Sequence, residues 1–379
     1  MSYQGRTPTP SPLTSSDITD GSITTSKIAD ANVTNPKLTT GSQQNFRNII
    51  TNSDMSVAQR GTSTSSVSSG STFPVDRFKF MPNALGTFTI SQSTTVPTGQ
   101  GFAKSIKVDC TTANASPGDG STLQLVQYLE GQMLQHLKKG TSSAESVTVS
   151  FWVRSNKTGT YTLELYDNDN TRQISQTYTI SSADTWEKKT LTFAGDTTGA
   201  LGNDNGLSFA VQFWLATGAN YNNQSLQTSW GSVTQASRVS SSQVNIADNT
   251  ANEWYITGLQ MEVGTTASDF EFIPHDVNLE RCLRYFEKSF NQGTTPANGV
   301  IVNVFFGRRG NIFFKKTKRT NPTIAPFSPL NTNNTWQWYS GVFNSVTPTF
   351  GISRTLFNYD LGGYEYTDVY GAWTADAEL

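Results

Sequence analysis

The residue types that most often carry acid–base or nucleophilic chemistry are sparse in this chain. Only two histidines, His136 and His275, occur among 379 residues. A Ser–His–Asp arrangement would have to use one of them, and neither lies near a nucleophile-elbow motif. Cys110 and Cys282 are the only cysteines. They lie far apart, and no ligand pair has the spacing of a zinc site. The expectation is two free thiols, no metal and no cofactor. Carboxylates are scattered, so no pair can be singled out for glycoside hydrolysis. Asp167-Asn168-Asp169-Asn170 could offer oxygens to Ca²⁺, but it lacks the full calcium-loop pattern and reads as a hairpin turn. The chain is therefore read as a non-enzyme.

Aromatic and cationic side chains offer a different chemistry, since sugar rings stack on Trp and Tyr faces. Trp152 and Trp214 interrupt the polar rows of two alternating strands, so they point away from the face that carries Phe151 and Phe213. That second face could be a glycan platform, an inter-subunit contact or a covered layer. Trp336, Trp338, Tyr339, Tyr364, Tyr366, Tyr370 and Trp373 form a C-terminal group, open to the same glycan reading or to core packing. Arg308, Arg309, Lys315, Lys316, Lys318 and Arg319 make one basic cluster. It is either a charged edge that resists aggregation or a site for anionic lipopolysaccharide or capsule.

The elements that must hold these residues are mostly β. Thr, Ser, Asn and Gly are abundant, which suits short pleated strands and turns. Val147, Val149, Phe151 and Val153 alternate with polar residues, as do Tyr161, Leu163 and Leu165. Leu207, Phe209, Val211, Phe213 and Leu215 form the cleanest alternation, and Ile106, Val108 and Cys110 a weaker one. Polar turns separate these runs, such as Asn156-Lys157-Thr158-Gly159 and Gly202-Asn203-Asp204-Asn205-Gly206. The prediction is an antiparallel jelly-roll β-sandwich over 47–273 and a small C-terminal β domain over 291–379. Between them, 274–290 reads as one short amphipathic helix, with Leu279, Leu283, Phe286 and Phe290 on one stripe. That stripe packs on its own sandwich or on a threefold axis.

Residues 1–46 have another character. Ile18, Ile23, Ile28, Val33 and Leu38 recur every five residues among small polar ones. One apolar residue in five cannot build a core of its own. The segment is either a flexible linker or an anchor that orders on assembly. Net charge is −2, with 27 basic and 29 acidic side chains, which gives no global footprint for nucleic acid. No run of about 18 apolar residues predicts a membrane span. The start lacks the charged-then-apolar pattern of a signal peptide, so the expectation is folding in a cytoplasm.

Several stretches resemble phage tail-fibre proteins. Ser16 through Asp30 is similar to the I-x-D-G-x-I-T-x-x-K-I-A-D repeats near the start of such fibres, particularly those of marine phages. Asn48-Ile49-Ile50-Thr51-Asn52-Ser53-Asp54-Met55-Ser56-Val57-Ala58-Gln59-Arg60-Gly61 resembles the N-L-L-x-N-G-D-M-x-V-x-Q-R-G opening of a phage tail domain, with Ser53 where Gly is usual. Ser150 through Ser155 and Gly258 through Gly264 match further landmarks of that domain, whose core is similar to the jelly roll of carbohydrate-binding modules. Phe313 through Thr323 resembles an F-x-V-x-M-R-x-x-P-T strand, and Thr374-Ala375-Asp376-Ala377-Glu378-Leu379 the T-A-D-A-E-L ending.

The resemblance implies a homotrimeric virion fibre. Its first 46 residues would dock on the phage tail or an adaptor protein, and its β domains would bind host surface polysaccharide or lipopolysaccharide. No nucleic acid or membrane insertion is expected. The alternatives are a purely structural fibre adaptor or capsid-decorating protein and, further off, a glycan depolymerase.

Overall fold

The computed structural model describes residues 46–291, 304–305, 307–328, 334–339, 343–362 and 369–379. The five-residue row from Ile18 to Leu38 lies outside the described residues, as do Tyr364 and Tyr366. Phe46–Leu379 forms one compact unit.

Thirteen strands among the described residues build the first part of that unit. They are β1 (Ser63–Val67), β2 (Thr72–Val75), β3 (Phe78–Asn83), β4 (Thr87–Ser93), β5 (Ser105–Thr112), β6 (Thr122–Glu130) and β7 (Val147–Ser155), followed by β8 (Gly159–Asp167), β9 (Arg172–Ile180), β10 (Glu187–Phe193), β11 (Leu207–Thr217), β12 (Gly231–Ser232) and β13 (Glu253–Val263). One sheet has the order β1-β4-β5-β13-β7-β10 and the other β12-β9-β8-β11-β6-β3-β2. All their pairings are antiparallel. The long strands turn their apolar rows inward, so Phe151 of one sheet meets Phe213 of the other edge-on at 5.0 Å. This is the jelly-roll sandwich that the alternating runs predict.

The segment before β1 closes one end of the sandwich. Ile49 donates its N–H to the Met261 carbonyl at 2.9 Å, and Leu259 donates to the Ser53 carbonyl at 3.0 Å. Asn48 Oδ1 accepts from the Ile50 and Met261 amides. The left-handed positions of this turn are Asn52 and Met55, at φ 58° and 61°. Ser53 is not among them, so serine in place of the usual glycine carries no backbone strain.

The predicted helix is shorter than its apolar stripe. Helix α1 spans His275–Leu283, and Phe286–Lys288 is strand β14. Phe286, Glu287 and Lys288 pair with Asp376, Ala375 and Thr374, so sheet pairing takes the backbone that a longer helix would use. The buried side of α1 is Asn278, Cys282 and Leu283, with Leu279 half-buried. Asn278 accepts from the Asn52 amide at 3.1 Å and donates to Asp54 and Ser56. Phe290 is half-buried beside Phe327, off the helix altogether. Both cysteines are buried free thiols.

The remaining strands are β15 (Val304–Phe305), β16 (Arg309–Phe313), β17 (Thr323–Phe327), β18 (Trp336–Tyr339), β19 (Phe343–Val346), β20 (Thr349–Ile352), β21 (Leu356–Asp360), β22 (Val369–Tyr370) and β23 (Ala372–Asp376). They form sheets β14-β23-β17, β15-β22-β18-β19 and β16-β21-β20 around their own aromatic core. Strand β23 ties this core to the sandwich. Glu378 pairs with Arg60 at 3.5 Å and with the buried Arg77, while Arg319 donates to the Ala377 and Glu378 carbonyls. Gln59 bridges Asp76 and the Phe286 carbonyl. The Gln59-Arg60 landmark and the Asp376-Ala377-Glu378 ending thus meet in space.

Candidate functional site

Strands β6, β11 and β8 lie side by side in the seven-stranded sheet, and their polar rows face away from the core. Register sets the layout. Ala210 on β11 pairs with Tyr128 on β6 and with Tyr166 on β8. Tyr128, Ala210 and Tyr166 therefore form one row across three strands, with both rings half-buried and the alanine between them. Two strand spacings separate the tyrosine backbones by about 10 Å. The methyl between the rings is itself buried, at 1 % exposure, and all three residues belong to the lining of one cleft.

The neighbouring rows supply polar groups. Gln212 is two residues along β11 from Ala210, and Gln124 stands diagonally from it on β6. Their amides are joined, Gln124 Nε2 donating to Gln212 Oε1 at 3.0 Å. Gln124 is 8 % exposed and Gln212 6 %. Arg238 reaches in from the long connection between β11 and β13, and Asn168 and Leu207 close the other side. Together these residues line a cleft of about 200 Å³.

Arg238 is fixed by Glu164, which lies in the Gln212 row. Its guanidinium donates to both Glu164 oxygens, at 2.8 and 2.9 Å. Glu164 also accepts the Trp214 indole N–H at 2.9 Å. Burial alone would lower the guanidinium pKa, but the Glu164 charge and hydrogen bonds carry it above its ordinary value. The same connection lies along the sheet through Ser175 N to the Gln227 carbonyl and Ser175 Oγ to the Arg238 carbonyl, both 2.8 Å. It places Tyr221 against Trp214, with ring centroids 5.4 Å apart.

Trp214 therefore does not form the exposed platform its place in the polar row suggested. It points to the outer face as expected, but it is fully buried under Tyr221 and Arg238. Trp152 is half-buried on the outer face of the other sheet, between Lys188 and Thr257, so the two tryptophans do not share a site. Trp336 is fully buried, donates to the Ala372 carbonyl at 3.0 Å and packs on Tyr359 at 5.2 Å. Trp373 is buried against Phe357 at 5.2 Å. Both are core residues, not sugar platforms. Tyr370 is half-buried on β22, and Trp338 and Tyr339 stand on β18, paired with Asn344 and Phe343 of β19.

The basic cluster does not form one patch either. Lys318 is fully buried and pairs with Glu287 at 2.5 Å; burial lowers its pKa. Arg319 spends its guanidinium on three backbone carbonyls, those of Asn205, Ala377 and Glu378. Arg308 and Arg309 both pair with Asp360, at 3.4 and 2.7 Å, and Lys316 pairs with Glu280 at 3.1 Å. Lys315 is exposed, and its backbone amide binds Glu287. The cluster divides between a structural pair, a clamp on the C-terminal strand and scattered surface ions.

The hairpin reading of Asp167-Asn168-Asp169-Asn170 holds: the residues join β8 to β9. Asp167 is buried, pairs with Lys139 and accepts from the Asn170 amide at 3.0 Å. His136 and His275 are both exposed and stand on separate elements. Among the described residues, no three His, Cys, Asp or Glu side chains are grouped to hold a metal, and no helix is long and apolar enough to cross a membrane.

No protein-family model matches the sequence, and no curated protein matches it. Solved structures with a similar fold include the enzymatically active domain of tailspike protein 4 of bacteriophage CBA120, at TM-score 0.31 and 12 % identity, covering 57 % of this chain and 22 % of that one. This chain thus spans about a fifth of that protein. A putative sugar-binding protein from Bacteroides thetaiotaomicron gives TM-score 0.31 and 12 % identity, covering 57 % and 100 %. A family 11 carbohydrate-binding module from Clostridium thermocellum, solved with a mixed-linked tetrasaccharide, gives TM-score 0.27 and 8 % identity, covering 55 % and 98 %. Similarities of this size carry no assignment of function.

Proposed function

We propose that this chain is a virion fibre protein whose β-sandwich binds host surface glycan, without cleaving it, in the cleft between Tyr128 and Tyr166. The observation that carries the binding half is the row Tyr128–Ala210–Tyr166 above two amides that are nine-tenths buried. Aromatic walls offer apolar faces to the C–H surfaces of a sugar ring, and fixed amides offer hydrogen bonds to its hydroxyls. At about 200 Å³ the cleft is small, which suits a single ring of a longer chain. Among the described residues the cleft lining itself holds no carboxylate, and Glu164 behind Arg238 is engaged by Arg238 and Trp214, which favours binding over acid–base cleavage.

The fibre half rests on the tail-fibre resemblance of residues 16–30, 48–61 and 374–379. In this reading residues 1–46 dock on the tail or an adaptor, three copies assemble, and weak single-site affinity is multiplied by valency. The protein would be made in the host cytoplasm and act on the virion. The experiment is adsorption of the purified chain to host cells in competition with free host polysaccharide. Competed binding with no released oligosaccharide supports the proposal. Absence of binding at micromolar protein favours a structural adaptor or capsid-decorating role, and released oligosaccharide a depolymerase.

A further inference from the structure

We infer that the Gln124–Gln212 pair reads a vicinal diol on an uncharged sugar, and so sets the ligand class of the cleft. The inference rests on the glycan-binding reading above and deepens it.

The end of each amide that faces the ligand decides what can bind. Arg238 has only donors to offer. Its Nη2 lies 3.4 Å from Gln212, so the atom turned toward it is the Gln212 carbonyl oxygen, Oε1. That oxygen also accepts from Gln124 Nε2 at 3.0 Å. With Oε1 turned inward and bonded twice, Gln212 must present its Nε2 donor to the cleft. With its Nε2 spent on Gln212, Gln124 must present its Oε1 acceptor. Neither Gln212 Nε2 nor Gln124 Oε1 has a protein partner among the described residues, and neither is a buried orphan atom. The floor of the cleft therefore shows one donor beside one acceptor, both open.

A pair of adjacent sugar hydroxyls matches that arrangement. One hydroxyl accepts from Gln212 Nε2 and its neighbour donates to Gln124 Oε1. An anionic group matches it poorly, because a carboxylate or sulfate would meet the Gln124 oxygen. Arg238, the cation in the cleft lining, already spans both Glu164 oxygens. Lys79 is not part of the lining; it stands 5.2 Å from the Tyr128 ring centroid and donates to the Leu379 backbone oxygen at 3.4 Å. Arg238 thus acts as a positioning residue that sets the polarity of the amide pair.

The test titrates the full chain with neutral gluco-, manno- and galacto-oligosaccharides, with their uronate counterparts, and with the best ligand after periodate cleavage of its vicinal diols and reduction. Tyr166→Ala, Gln124→Met and Gln212→Met proteins are measured beside the wild type. The expected result is a neutral ligand bound at least tenfold more tightly than its uronate form. Its affinity should fall about tenfold in each glutamine variant and by more after periodate treatment. If Tyr166→Ala weakens binding while both methionine variants and the periodate-treated sugar bind normally, the diol inference fails and the cleft stands. A preference for uronates likewise overturns it. If no cleft variant alters binding, or no sugar binds, the underlying reading fails as well. The periodate arm is independent of any folding defect in the variants.

Discussion

Tyr128 and Tyr166 pair, from two different strands, with the same residue, Ala210. All three line one cleft, and the residue between the rings is small. Replacing Ala210 with Leu places a branched side chain between the rings, at a packing cost of about 1 kcal/mol. Calorimetric titration of the retained glycan should show at least a tenfold loss of affinity for Ala210→Leu, with the far-UV spectrum unchanged. Unaltered affinity would mean that the ligand sits elsewhere.

Arg238 and Glu164 hold the connection between β11 and β13 against the sheet. Glu164 is fully buried and Arg238 largely so. Removing the cation leaves a buried carboxylate without its main partner, so Arg238→Ala should cost roughly 3 kcal/mol in urea unfolding. The double variant Arg238→Ala, Glu164→Gln should recover part of that loss, since it removes the stranded charge.

Lys318 and Arg309 come from the same basic stretch but have different fates. Lys318→Ala strands Glu287, which is also buried, and should destabilise the protein by roughly 3 kcal/mol. Arg308→Glu and Arg309→Glu lie on the surface and should leave the thermal midpoint unmoved. Equal effects from all three would contradict the division of the cluster.

Asp76 gives the pH dependence a definite sign. Burial pushes its pKa up to about 6, and Arg60 and Gln59 offset that only in part. The folded state therefore holds a proton between about pH 4 and 6 that the unfolded chain has released. This group favours folding at low pH, and that contribution is lost as pH rises through 6. A shift of that size corresponds to about 3 kcal/mol. Asp76→Asn should therefore gain stability relative to wild type by about that amount between pH 4 and pH 7, read from urea curves at both values. A constant difference would remove Asp76 from the account.

The strands were legible where alternation was strict, as from Phe209 to Leu215, because each second residue faces the core; spacing puts Leu207 in the same row, but a bulge separates it from Phe209 and it lines the cleft instead. The same logic placed Trp214 on the outer face, but not the lid over it. Tyr221 and Arg238 come from the irregular connection between β11 and β13, where periodicity gives no signal. Tyr128 and Tyr166 carried a faint one. Tyr128 is in phase with Gln124, and Tyr166 with Glu164, on the polar side of their strands. Register across strands, which sequence spacing does not contain, is what brings them together on Ala210. The helix stripe failed at Phe286 because pairing with Asp376 is a long-range contact. Lys318 and Trp336 failed for a related reason. Composition marks them as ligand-like, while the partners that bury them, Glu287 and Tyr359, are far along the chain.

The most direct measurement is a crystal structure of the protein soaked with an oligosaccharide that it retains on a column of host polysaccharide. The account predicts a sugar ring between Tyr128 and Tyr166, with adjacent hydroxyls on Gln124 and Gln212. Sugar density on Trp152, or on the C-terminal sheets with the cleft empty, would contradict it.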